Sequence, residues 1–171
     1  MTSDFWNSCS LKNVEEIIQE AIHRFMVCDS ILLNLAGEGS DEDKKLHEVC
    51  IAHKLANHLE NVLLENSLIP ERATVDIEYN RHGLEVKRWA DGKAFRPDIL
   101  LHERASDDQN YLVIEIKKDT NLGRNEQNLL DDISKIERLC DPHGSYGYLF
   151  GFVLVAIGNG IDIRHSHKKD S

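Results

Sequence analysis

Three acidic residues of the 171-residue chain stand where a carboxylate is costly to bury. Glu115 interrupts the strongly apolar segment 111–117 (YLVIEIK), which ends at Lys117. Asp98 is followed directly by three apolar residues, and Glu48 stands at one end of an apolar stripe. Carboxylate oxygens hold Mg²⁺, and a metal so held can activate water and neutralise charge on a phosphate. With a lysine beside them, these residue types suit phosphodiester hydrolysis better than proteolysis or hydride transfer.

Strand and helix periodicity places these side chains together. Along a strand over 111–117, Glu115 and Lys117 share one face. If that strand forms a hairpin with the segment 96–101, Asp98 can face Glu115. On a helix, positions 48, 52, 55 and 59 form one stripe, so Glu48 can point to the same place. The alternative for Glu115 is a buried ion pair with a neighbouring lysine or arginine.

The order of the elements predicts one α/β (α+β) domain spanning 1–171, with a central mixed sheet flanked by helices. Apolar residues make up 41% of the chain, enough for a core. Helical spacing is present in 11–26, 41–65 and 124–140, and strand patterns are present in 75–80, 84–89, 96–101, 111–117 and 148–157.

Charge and cysteine usage restrict the classes of function. With 30 acidic and 20 basic residues, the formal charge is −10, which excludes a basic coat for non-specific DNA binding. No apolar run approaches the roughly 18–20 residues of a membrane span, and the first residues lack a secretion signal. We therefore expect no membrane partner and a cytoplasmic protein with reduced thiols. His165 and His167 could bind a metal, but their polar surroundings favour a solvated tail.

Two short motifs resemble the PD-(D/E)XK nuclease superfamily: residues 96–99 (RPDI) and residues 113–117 (VIEIK). The resemblance implies a restriction-endonuclease-like αβββαβ core over 41–157, preceded by an N-terminal helical extension over 1–40 and followed by a polar tail over 158–171. The stretches 47–60 (HEVCIAHKLANHLE) and 76–81 (DIEYNR) are similar to a poorly characterised branch of that superfamily.

The resemblance also implies roles for individual residues. Asp98, Glu115, Glu48 and the backbone carbonyl of Ile116 would hold Mg²⁺, for which Mn²⁺ can substitute. Lys117 would be the catalytic lysine, and Asp98, Glu115 and Glu48 would belong to the same catalytic set. The substrate would be nucleic acid, with DNA favoured over RNA. A homodimer or a partner protein could supply substrate affinity.

Several polar residues near the motifs have more than one interpretation. Glu78 could support the metal site or be an exposed acid. Gln127, Asp131 and Lys135 share a helix face, where a solvated Asp131–Lys135 pair is favoured over catalysis. A local basic patch near the phosphate could be built from Arg81, Arg88, Arg96, Lys118 and Arg124.

Two other classes of function compete with the nuclease. One is a catalytically silent module of the same fold that binds nucleic acid or a protein partner. The other is a small adaptor whose acidic surface docks a basic partner. An intact set of Asp98, Glu115 and Lys117 favours the active enzyme, because a silent module has no chemical need for that combination.

Overall fold

A computed structural model describes residues 2–34, 41–82, 85–89, 92–104, 106, 109–119 and 126–169. Five helices and seven strands are assigned in these ranges. The helices are α1 (Thr2–Ser8), α2 (Leu11–Cys28), α3 (Ile31–Asn34), α4 (Asp41–Glu65) and α5 (Glu126–Cys140). The strands are β1 (Ala73–Ile77), β2 (Arg81–His82), β3 (Glu85–Val86), β4 (Ile99–Glu103), β5 (Asn110–Asp119), β6 (Phe150–Ile157) and β7 (Gly160–Lys168).

Five strands form one mixed sheet in the order β1-β4-β5-β6-β7. Neighbouring strands are antiparallel except for β5 and β6, which are parallel. A parallel pair needs a crossover connection, and α5 is that crossover. The expected mixed sheet flanked by helices is confirmed.

Helices cover both faces of the sheet, and the alternation of β5 separates two hydrophobic clusters. Leu112, Ile114 and Ile116 pack in the larger cluster with α2 and α4. Val113 packs in the smaller cluster with Ile136 of α5. Glu115, two residues after Val113, therefore belongs to the face that α5 covers, as the strand period predicts.

The N-terminal helices are fixed to this framework by local and long-range contacts. Ser10 caps α2 in a capping box with Asn13. Arg24 of α2 donates two 2.8 Å hydrogen bonds to the carboxylate of Glu65 at the end of α4. The buried Trp6 donates from its indole nitrogen to the Leu68 carbonyl at 2.8 Å. The 1–40 segment is thus helical over most of its described length, as expected.

Two expectations about the strands are wrong. The polar tail expected over 158–171 is, from residue 160 to 168, the strand β7, which pairs antiparallel with β6. Its apolar residues are only Ile161 and Ile163, so the usual alternation is absent from most of its length. Within the described residues of 84–89, Glu85 and Val86 pair with β2 in a separate two-stranded ribbon and Arg88 forms an isolated bridge with Ala94, so this segment adds no strand to the main sheet.

No helix in the described ranges is both long and apolar enough to cross a bilayer. All four cysteines, Cys9, Cys28, Cys50 and Cys140, are free thiols, as the sequence predicts.

The close packing of α5 on β6 depends on Gly151. A Cβ atom there would lie 2.5 Å from Ile136 Cγ2 and 2.8 Å from Cys140 Sγ, and both of those residues are buried. We predict that Gly151→Ala lowers the free energy of unfolding by about 1–3 kcal/mol through overpacking, as measured by urea denaturation. The matched control is Gly160→Ala, where the nearest atom is 3.9 Å away. Equal stability of the two variants would contradict this account of the packing.

Candidate functional site

The β4–β5 hairpin brings Asp98 and Glu115 together. Ile99 pairs with Ile114 in this hairpin, so Asp98, one residue before β4, lies opposite Glu115. Asp98 also accepts a 2.6 Å hydrogen bond at Oδ2 from the backbone N–H of Ile116. The facing arrangement expected from strand alternation is therefore present.

One cavity of about 280 Å³ is lined by all five residues to which the family resemblance gives a metal-binding or catalytic role. It is lined by carboxylates, cations and two apolar residues, beside the beginning of β4 and the second half of β5. The lining residues are Glu48, Val49, Glu78, Arg96, Asp98, Glu115, Ile116, Lys117, Asp132 and Lys135.

Glu48 reaches this cavity from α4. Ala52, Leu55 and Leu59 on the same stripe are buried, and Glu48, at the end of the stripe, is only partly buried. Its Oε1 atom accepts a hydrogen bond from the backbone N–H of Lys118 at 3.2 Å. Helix α4 therefore presents an acid to the same stretch of β5 that carries the ExK motif.

Glu115 is ion-paired in the structure. Lys135 of α5 lies with its Nζ 2.6 Å from Glu115 Oε1. The expected solvated pair of Asp131 with Lys135 is therefore wrong, and Asp131 instead accepts a 3.0 Å hydrogen bond from the amide of Gln127. The buried ion pair that the sequence left open for Glu115 is present, and it lies within the cavity.

Asp132 was not predicted to belong to the site. It is 8% exposed, and its Oδ2 lies 3.5 Å from the Nζ of Lys117. A signal for it exists in the sequence, since Asp132 comes three residues after Leu129 and four before Ile136, within the apolar stripe of α5. An acid inside such a stripe is the same kind of signal that pointed to Glu48.

The electrostatics of the cavity disfavour ionisation of its two central carboxyls. Desolvation raises the pKa of Asp98 to about 6, although the Ile116 N–H and the nearby lysines act in the opposite direction. Desolvation, reinforced by the charge of Asp98, raises the pKa of Glu115 to about 8, against the attraction of Lys135. Burial also raises the pKa of Asp132. A cation placed between the two central carboxyls would favour their charged forms.

Lys117 remains protonated in this setting. Burial alone would lower its pKa, but the surrounding carboxylates, Asp132 foremost, raise the pKa above its usual value. Its side chain is 40% exposed. The cavity therefore presents a stable ammonium group next to Asp98 and Glu115.

Glu78 and Arg96 form one side of the cavity. The Glu78 N–H donates to the Asp98 carbonyl at 3.1 Å, and its backbone has a φ of 47°, which is uncommon for a residue other than glycine. The Glu78 carboxylate lies 3.5 Å from the guanidinium of Arg96. Glu78 thus lies at the cavity, and its backbone hydrogen bond continues the pairing of β1 with β4 as far as Asp98.

The expected basic patch is not assembled at the cavity by the described residues. Lys118 donates from Nζ to the Leu33 carbonyl at 3.2 Å, and Arg88 donates to the Gly92 carbonyl at 2.8 Å. Arg96 lines the cavity, whereas Arg81 lies exposed on the two-stranded ribbon. Arg124 lies outside the described residues.

The donor set at the cavity fits a hard divalent cation. Asp98, Glu115 and Glu48 offer carboxylate oxygens, and Ile116, which follows Glu115 in the chain, binds Asp98 through its N–H. Oxygen ligands are the preference of Mg²⁺ and Mn²⁺.

No family model matches this sequence, and no curated protein or solved structure matches it either. The function proposed below therefore rests on the residues, their geometry and the resemblance of two short motifs.

The raised pKa of Glu115 predicts how stability depends on pH without metal. The folded protein holds this proton more tightly than the unfolded chain, whose pKa is near 4.5. Raising the pH from about 5 to about 8 should therefore lower the free energy of unfolding of the wild type relative to Glu115→Gln. Urea denaturation of both proteins in chelator, across this range, measures the difference. If the two stabilities run parallel with pH, the ionisation of Glu115 is not opposed by the fold.

Proposed function

We propose that this protein is a metal-dependent nuclease that hydrolyses phosphodiester bonds in nucleic acid, with DNA favoured over RNA. The observation that carries the proposal is the placement of Asp98 opposite Glu115, with Glu48 and Lys117 on the same cavity. Mg²⁺ is the proposed cofactor, and Mn²⁺ is a substitute.

The order of the elements supports the PD-(D/E)XK assignment. Helix α4 is followed by the sheet strands β1, β4 and β5, then by α5 and β6, which is an αβββαβ order. The Pro-Asp motif lies directly before β4, and the ExK motif lies on β5. The two-stranded ribbon, the three preceding helices and β7 would be additions to that core.

The acidic and lysine residues of the cavity would have distinct chemical tasks in the proposed reaction. Asp98, Glu115, Glu48 and the carbonyl of Ile116 would hold the metal. When bound, the metal supplies a water of lowered pKa and neutralises charge that develops on the phosphate. Lys117 would orient that water or stabilise the extra negative charge, and Asp132 lies 3.5 Å from its ammonium group. Lys135 compensates the Glu115 carboxylate.

The net negative charge of the chain lowers its expected affinity for a nucleic-acid substrate. A formal charge of −10 disfavours a polyanion at physiological salt. Arg96 lies at the cavity with its side chain 51% exposed, and it is a candidate for a phosphate contact. A second copy of the chain or a partner protein would supply the remaining affinity.

One observation favours a second candidate function. The Lys135 ammonium lies 2.6 Å from Glu115 Oε1, so it already neutralises one of the proposed metal ligands. A catalytically silent module of this fold, binding nucleic acid or a protein partner, would need no further cation there.

Cleavage of a mixed panel tests the reaction. The panel holds supercoiled plasmid, linear duplex, single-stranded DNA and RNA, each with Mg²⁺, with Mn²⁺ and with chelator. We predict metal-dependent cutting that falls by at least about 100-fold in Asp98→Asn, Glu115→Gln and Lys117→Met, because each removes a metal ligand or the transition-state charge. Asp131→Asn, which changes an exposed acid one residue from Asp132, is the matched control and should cut like the wild type.

Two other outcomes of the cleavage panel would contradict the proposed site or the proposed activity. Cutting that survives in both Asp98→Asn and Glu115→Gln would indicate a contaminant or a wrongly placed active site. Absence of cutting by the wild type, together with metal binding at the cavity, would replace the nuclease with the silent module.

Thermal unfolding tests the metal site without requiring activity. We predict that Mg²⁺ or Mn²⁺ raises the Tm of the wild type, because the ion binds only the folded cavity. At an ion concentration of 100 times Kd, the free energy of unfolding should increase by about 2.7 kcal/mol. Chelator should reverse the shift, and Asp98→Asn and Glu115→Gln should abolish it. An unchanged Tm in the wild type would contradict the metal-dependent nuclease and would favour the silent module or an acidic adaptor.

A further inference from the structure

We propose that Glu137, His165 and His167 form a second, separate metal site, which takes a borderline divalent transition metal such as Zn²⁺. This site lies between the exposed part of α5 and the edge strand β7. It does not depend on the proposed nuclease function, and none of its three residues lines the cavity of Asp98 and Glu115.

Strand geometry directs both imidazoles toward α5. His165 and His167 are two residues apart on β7, so their side chains leave the same face of the sheet. They pair with Val153 and Gly151 of β6, which form the surface on which α5 packs. The two rings lie 6.4 Å apart between centroids with planes only 20° apart. Glu137 of α5 stands above them.

The donor atoms already lie close to coordination distance. One ligand atom from each of Glu137, His165 and His167 lies within 4.8 Å of the other two. His165 Nε2 is 3.9 Å from Glu137 Oε1. Around a tetrahedral Zn²⁺ with ligand bonds of about 2.0–2.2 Å, ligand atoms stand about 3.3 Å apart. Small side-chain rotations, mainly of the exposed Glu137, would close the site.

An unsatisfied polar atom points into the cluster. His165 Nε2 is buried and has no hydrogen-bond partner among the described residues, and its 3.9 Å distance to Glu137 is too long for a hydrogen bond. Buried polar atoms are rarely left without a partner in folded proteins. A metal ion would satisfy this nitrogen together with the carboxylate beside it.

The cationic side chains next to the cluster are engaged elsewhere. The Arg138 guanidinium lies 4.2 Å from the centroid of the Trp89 ring. Lys168 donates from Nζ to the Cys9 carbonyl at 2.8 Å. Neither group stands between the two imidazoles and the carboxylate as a competing counter-ion.

The ligand types distinguish this site from the first. Two imidazoles and one carboxylate favour Zn²⁺, Ni²⁺ or Cu²⁺, whereas Mg²⁺ prefers oxygen alone. Three protein ligands leave one position of a tetrahedral ion for water. By joining β7 to α5, the ion would fasten the last strand of the sheet to the helix that carries Lys135 and Asp132.

Zinc binding to the full chain tests the site. The Asp98→Asn/Glu115→Gln protein serves as background, so that the oxygen-rich cavity does not contribute. Isothermal titration with Zn²⁺ is expected to give one site per chain. Glu137→Gln and His167→Asn should each lower the zinc affinity at least about tenfold, because even the loss of a residue that only hydrogen-bonds to a metal ligand lowers the affinity by that factor. His23→Gln, which changes an exposed histidine of α2, is the matched control and should bind like the background.

Two further readouts guard against a folding defect. Because Glu137 is exposed, its substitution should leave the Tm without zinc unchanged while abolishing the rise in Tm on adding Zn²⁺. Co²⁺ should give a visible absorption band in the background protein and none in His165→Asn. Absence of zinc binding by the background protein, or equal affinity in His167→Asn and His23→Gln, would overturn the proposal.

Discussion

The side-by-side placement of Asp98 and Glu115 is the interaction on which the rest of the site depends. Two carboxyls withdrawn from water repel one another when both are charged. The surrounding groups offset this repulsion at separate points: the Ile116 N–H binds Asp98, and the Lys135 ammonium pairs with Glu115. Lys117 adds a second positive charge next to the two carboxyls, and its ammonium group is ion-paired with Asp132. Removing any one of these partners changes the charge state that its neighbours prefer.

The topology of the sheet explains how the charged partners of Asp98 and Glu115 reach them. Strand β5 is central, with β4 on one side and β6 on the other, and Glu115 on it is only 3% exposed. The parallel β5–β6 pair requires a crossover helix. Because that helix packs on the face that carries Val113 and Glu115, α5 delivers Lys135 and Asp132 to the carboxyls. Helix α5 therefore both completes the smaller hydrophobic cluster and supplies the positive charge of Lys135 to Glu115.

Much of this arrangement could be predicted from local patterns. The period of two in β5 and the apolar stripe of α4 placed Asp98, Glu115 and Glu48 near one another, because those patterns depend only on backbone geometry. The partner of Lys135 could not be found in this way. A nearby acid on the same helix is indistinguishable in sequence from the distant Glu115, and only tertiary packing decides between them. Segment 84–89 shows the same limit, since strand propensity does not specify which strand becomes its neighbour.

The polar composition of β7 has a consequence for self-association. This strand lies at the end of the sheet order, where an unpaired row of backbone groups is a template for pairing with other chains. Asp162, Arg164 and Lys168 are exposed along it, and such charges are a common protection against edge-to-edge aggregation. These charged residues interrupt the apolar alternation by which a strand is predicted from sequence. They also allow the sheet to end at β7 without pairing with a further strand. Replacing them with a regular apolar alternation would make the strand easier to recognise and the protein more prone to form fibrils.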